Sequence, residues 1–92
     1  MFLTQHAVER FRERWAAGLS YQHALRELRL LSRSARRLRE RTAAGDLQFE
    51  ASDGSGIIFV VKREPGFGDG LVCATVLPEP EAADPAVPEE PA

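Results

Sequence analysis

The sequence predicts an α+β domain: two N-terminal helices packed on a three- or four-stranded antiparallel sheet, followed by an acidic tail. Three observations carry this expectation. Apolar residues recur every three or four positions as far as Ala35, they alternate or run continuously between Leu47 and Leu77, and five of the six prolines gather from Pro78 onward. The first spacing is that of an amphipathic helix and the second that of extended chain. The proline-rich end pairs few apolar side chains with five acids, a composition that cannot offset the entropy of ordering. The expected division is therefore a folded domain over residues 1 to 78 and an unfolded tail over 79 to 92.

Taken in order, Thr4 can cap a first helix in which Val8, Phe11 and Trp15 form one apolar stripe, and Gly18 stops it. Ser20 can cap a second helix with a broader apolar face of Tyr21, Ala24, Leu25, Leu28, Leu31 and Ala35. Arg36 to Thr42 admits two readings. It either prolongs the second helix or, as favoured here, forms a strand with Leu38 inward and Arg37, Arg39 and Arg41 on one face. Leu47, Phe49 and Ala51 alternate with Gln48 and Glu50 as a half-buried strand, and Asp53 to Gly56 is turn chemistry. Ile57 to Val61 is apolar throughout and suits a central strand. Pro65 to Gly70 makes a second turn, and Leu71 to Leu77 a further strand.

Charge is divided as sharply as periodicity. The formal net charge is −2, yet residues 1 to 45 hold ten arginines against Glu9, Glu13, Glu27 and Glu40, a net of +6, and residues 79 to 92 carry five acids and no base. Basic surfaces of this density attract phosphates and other polyanions, RNA among them. With a core drawn from about 77 residues, near the lower limit for independent stability, a second copy or another partner would supplement it. Cys73 is the sole cysteine and lies in an apolar run, so it reads as a small buried side chain rather than a reactive thiol. The N-terminus meets charge before a signal-type apolar region accumulates, and no 18-residue apolar stretch exists. A soluble, cytoplasmic protein is expected, with no membrane partner.

Two groups of residues could carry chemistry. Arg33, Arg36, Arg37, Arg39 and Arg41 bring five guanidiniums within nine residues, and Lys62 and Arg63 end the central strand. A strand would set three of the arginines at about 7 Å intervals, close to the phosphate spacing of single-stranded nucleic acid. A solvated face with Glu40 as counter-ion accounts for the same run, and no exposed aromatic is interleaved to stack bases. In the first helix His6, Arg10, Glu13 and Arg14 lie away from the apolar stripe. A metal-independent ribonuclease needs a base, an acid and cations around the phosphorane, roles that His6, Glu13, Arg10 and Arg14 can fill. An ordinary solvated helix with i, i+4 pairs explains them equally well. His23 reads as plain surface. Two histidines and one cysteine at no familiar spacing give no zinc site, and the glycines at 66, 68 and 70 lack the following helix of a phosphate loop. No metal or cofactor is expected.

The segment His6-Ala7-x-x-Arg10-Phe11-x-x-Arg14, a second helix, basic strands and a closing Val-x-x-x-Val-Leu-Pro at Val72 to Pro78 together resemble small domains near the BrnT and RelE toxins. The similarity spans residues 3 to 78. It implies a compact ribonuclease-like fold that often cuts RNA without metal and is often silenced by an antitoxin, and it points to His6, Arg10 and Arg14 as site residues. The chain departs from that pattern after Thr75, where no Tyr, Arg or His follows, and in its acidic tail. The leading expectation is thus an RNA-directed, toxin-like endoribonuclease. The alternative is a non-catalytic phage or mobile-element adaptor that binds a host protein or nucleic acid.

Overall fold

Hydroxyl caps fix both helix starts. In the computed structural model, which describes residues 1–81, Thr4 Oγ1 accepts from the Ala7 amide at 3.2 Å and opens α1 (Gln5–Trp15), while Ser20 Oγ accepts from the His23 amide at 3.1 Å and opens α2 (Tyr21–Arg33). Each bond satisfies one of the orphan donors of a first helical turn. Arg12 ties the hairpin together: its Nε donates to the Leu19 carbonyl at 3.1 Å, and its Nη1 meets Glu9 at 3.0 Å.

The remaining elements are strands: β1 (Phe2–Leu3), β2 (Arg36–Arg37), β3 (Leu47–Glu50), β4 (Ile58–Arg63) and β5 (Leu71–Leu77). They form one sheet in the order β1-β5-β4-β3-β2, antiparallel except that β1 runs parallel to β5. Two helices on a sheet is the expected α+β class. The sheet itself differs from expectation, being five-stranded and mixed, because two residues ahead of Thr4 add to β5. That strand is too short to show any period of its own.

The strand expected over 36 to 42 is confined to Arg36–Arg37. Pairing persists for one further bond, from the Leu38 amide to the Gln48 carbonyl at 2.8 Å. The chain then turns back through Thr42: its amide bonds the Asp46 carbonyl, and its Oγ1 accepts from the Asp46 amide at 3.0 Å. Gly45, at φ +90°, supplies the left-handed conformation that this reversal requires. Arg37, Arg39 and Arg41 therefore do not share one strand face.

Leu47, Ile57, Phe59, Val61, Cys73 and Val76 meet Ala7, Val8, Phe11, Ala24 and Leu28 in the core between helices and sheet, with Trp15, Tyr21, Leu25 and Leu31 packed at its edge. The opposite sheet face is also covered. Gln48, Ile58, Val60 and Val72 are buried there, and Thr42 with them. Part of the cover is the segment following β5. The Gln48 side chain, fully buried, accepts from the Glu81 amide at 2.8 Å and donates to the Glu81 carbonyl at 3.2 Å. Glu81 Oε1 in turn accepts from the Ala43 amide at 3.0 Å. The folded contacts thus extend three residues past the expected boundary at 78. The rest of the expected unfolded tail, residues 82 to 92, lies outside the described residues.

Candidate functional site

On α2 the apolar side is spent on the core, with Ala24 and Leu28 fully buried. Arg26, Arg29 and Arg33, at i, i+3 and i+7, fall within about 60° of one another on the opposite side. With Gln22, Leu25 and the half-exposed Leu30 they line one shallow groove of about 300 Å³. Arg37, Leu38 and Arg39 frame a second hollow beside β2. Arg41, Lys62 and Arg63 share a third, of about 160 Å³, at the end of β3 and β4. The basic run is therefore grouped into three consecutive clusters rather than aligned in one row.

Few of these cations are neutralised. Of the eleven arginines, Arg10, Arg12 and Arg36 pair with carboxylates, Arg36 with Glu50 at 2.7 Å, whereas the other eight have no carboxylate partner among the described residues. Lys62 Nζ holds both oxygens of Asp46, at 3.1 and 3.0 Å. Arg41 donates to the Gly45 carbonyl at 3.0 Å. Glu40, the counter-ion expected within the run, makes no ion pair among the described residues; its carbonyl accepts from Gln48 instead. Glu81 binds backbone and not guanidinium.

The His6 neighbourhood is different from the helix-face constellation expected. His6 lines a groove of about 370 Å³ on the second face of the sheet, together with Asp46, Lys62, Thr75 and Glu81 over an apolar floor that includes Val60 and Leu77. A register shift opens this place. Val60 pairs with Thr75 but Val61 with Cys73, so Ala74 is the extra residue of a β-bulge. Bulges re-aim side chains and bend the strand locally. Thr4 Oγ1 bonds the Cys73 carbonyl at 2.9 Å, which sets the start of α1, and His6 with it, beside the bulge.

Arg10 and Arg14 do not line that groove. Arg10 Nη1 pairs with Glu13 at 3.5 Å one turn along α1, and Arg14 is exposed. The groove that His6 lines is shared with Lys62 and Thr75, which are nearly 60 and 70 residues away in sequence. Sequence reasoning also missed Arg26 and Arg29, although their spacing opposite Leu28 carried the signal. Two exposed aromatics were missed as well: Phe2 and Phe67, whose ring centroids are 5.1 Å apart.

Cys73 is fully buried, and desolvation pushes its thiol up to about 12, against which hydrogen bonds to backbone act weakly. It is a packing residue. Among the described residues no group of three or more His, Cys, Asp or Glu side chains is placed to hold a metal ion, and no helix is long and apolar enough to cross a membrane. Neither a protein-family model, nor a curated protein, nor a solved structure matches the chain.

Proposed function

We propose that this chain is an RNA-directed, cytoplasmic protein whose arginine clusters hold the phosphate backbone. One observation carries the reading: eight of eleven arginines, most of them on α2 and the edge beyond it, lack a carboxylate partner among the described residues. Clustered guanidiniums repel one another, and a polyphosphate chain relieves that repulsion while releasing its own counter-ions. The affinity should therefore be strongly salt-dependent. Labelled RNA titrated with the protein at several salt concentrations tests this. A steep fall of log affinity with log salt, flattened when Arg26, Arg29 and Arg33 are together replaced by glutamine, is the expected result. Salt-independent binding, or none at low salt, would refute it.

A second reading, metal-independent RNA cleavage in the manner implied by the toxin resemblance, is favoured by the groove at the β-bulge. There His6 can accept the ribose 2′-hydroxyl proton as that oxygen attacks phosphorus, water can protonate the 5′-oxygen as its bond to phosphorus breaks, and Lys62, which lines the same groove with Asp46 as its counter-ion, can favour the phosphorane. Arg10 and Arg14 become peripheral phosphate contacts in this version. RNA incubated in EDTA should be cut by the native protein and left intact by His6→Ala. Intact RNA with both proteins leaves a binder rather than an enzyme.

A further inference from the structure

The most exposed aromatic surface of the described chain lies where β1 meets the β4–β5 turn. Phe2 is 51% exposed and Phe67 is 44% exposed, and their rings meet at 43°. Large apolar side chains left in water usually mark a contact surface when they cluster. The position of this pair is set by strong local constraints. The Met1 amino group bonds Asp69 at 2.8 Å, and the Glu64 and Gly70 backbones close the turn at 2.8 Å, so the turn is drawn against β1.

Register then relates the aromatics to charge. Phe2 is the cross-strand partner of Val72, and Val72 is the partner of Lys62. Partners on adjacent strands point to the same face, so Phe2, buried Val72 and Lys62 form one rung across the second face of the sheet. At roughly 4.8 Å per strand, Phe2 and Lys62 stand about 10 Å apart. Lys62 also lines the hollow shared with Arg41 and Arg63, where Asp46 is its counter-ion and the two guanidiniums, without carboxylate partners among the described residues, supply the net positive charge. An apolar aromatic platform thus lies one to two nucleotide lengths from a cationic hollow.

We infer that the Phe2–Phe67 pair is a base-stacking platform, and that the polyanion bound is single-stranded RNA with at least one unstacked base. This rests on the RNA reading above and narrows it. A duplex hides its base faces and offers this platform nothing, whereas a single strand can lay a base on the rings and its phosphate in the hollow. The same chemistry distinguishes RNA from polyanions without bases. The charge of the neighbouring hollow favours this occupant over an apolar peptide.

The test compares an unstructured RNA 12-mer, the same sequence as a duplex, and inorganic polyphosphate of matched charge, each by competition at one fixed salt concentration. Phe67→Ala and Phe67→Leu should weaken single-strand binding roughly tenfold, the loss of one stacked base, and leave polyphosphate binding unchanged. Phe67→Tyr, which keeps the π-face, should retain native affinity. Leucine preserves apolar bulk in the turn, so a shared loss by both variants cannot be a folding defect if their melting temperatures match the native protein. Equal affinity of native and Phe67→Leu proteins for the single strand would overturn the inference while leaving phosphate binding intact. A native protein that binds neither RNA nor polyphosphate overturns both this inference and the function on which it rests.

Discussion

Gln48→Met is the perturbation that interrogates the second sheet face most directly. Gln48 is fully buried and makes three hydrogen bonds: two to the Glu81 backbone, at 2.8 and 3.2 Å, and one at 3.4 Å to the Glu40 carbonyl. Methionine is similar in length and unbranched, so packing is nearly kept and the polar contacts alone are lost. At about 1 kcal/mol net per bond, the two to Glu81 amount to about 2 kcal/mol, and the long third bond adds less. Glu81 and Glu40 are exposed residues but these bonds are part-buried, so about 2 kcal/mol is the lower end of the expected cost and any backbone group that water does not reach adds to it. For a domain of this size a loss of about 2 kcal/mol lowers Tm by roughly 10 °C. The decisive comparison is a chain truncated after Pro78. There the Glu81 bonds no longer exist, and the same substitution should cost only about 0.5 to 1 kcal/mol. Urea unfolding of the four proteins completes the cycle. An equal cost in both backgrounds would refute the idea that Gln48 fastens the chain after β5 to the sheet.

Other expectations concern single sites. Thr4→Ala removes both the α1 cap and the bond to the Cys73 carbonyl, so it should destabilise by about 1 to 2 kcal/mol, more than Ser20→Ala, which removes a cap alone; chemical denaturation of the pair checks the order. Phe59, fully buried at the centre of the sheet, should cost about 3 to 5 kcal/mol as Phe59→Ala. The Cys73 thiol is raised in the folded state from 9.0 to about 12, so the folded chain keeps its proton where the unfolded chain has lost it. The stabilisation is complete below pH 9 and is lost as pH rises towards 12, and a native protein that reacts with a thiol reagent at pH 8 without unfolding would contradict it. Asp69 has the opposite sign: its hydrogen bond from the N-terminal ammonium, then that from the Leu71 amide, holds its carboxyl below 3.8. Its contribution is present above that value and disappears as pH falls below it, a step that Asp69→Asn should erase from the acid unfolding curve.

Much of this architecture was legible because local chemistry and tertiary packing agree. Thr4 and Ser20 announce helix starts with side chains that bond three residues ahead, and Val8, Phe11, Ala24 and Leu28 repeat at the spacing that puts them in the core. What was not legible depends on partners remote in the chain. Phe2 and Leu3 become a strand only because β5 is there to receive them. Glu81 sits in a stretch whose composition reads as unfolded, yet a buried amide 33 residues earlier holds it. The site shows the same division. Five clustered arginines were visible as a run, but periodicity alone could not separate Arg37 and Arg39 from Arg41, because a reversal hinged on Thr42 and Gly45 intervenes. His6 was singled out from its helix face, and the groove that surrounds it is built from strands on the far side of the sequence.

The parallel pairing of Phe2 with Val72 also has a temporal meaning. β1 belongs beside a strand made some 70 residues later, so the sheet cannot close until β5 has been synthesised. During that interval the helical hairpin has its apolar sides uncovered and its N-terminal strand unpaired, the state most exposed to chaperones, to proteases and to mispairing with a neighbouring nascent chain. Loop closure over such a separation is slow compared with forming the β3–β4 hairpin. Completion of the fold is consequently governed by the arrival of β5.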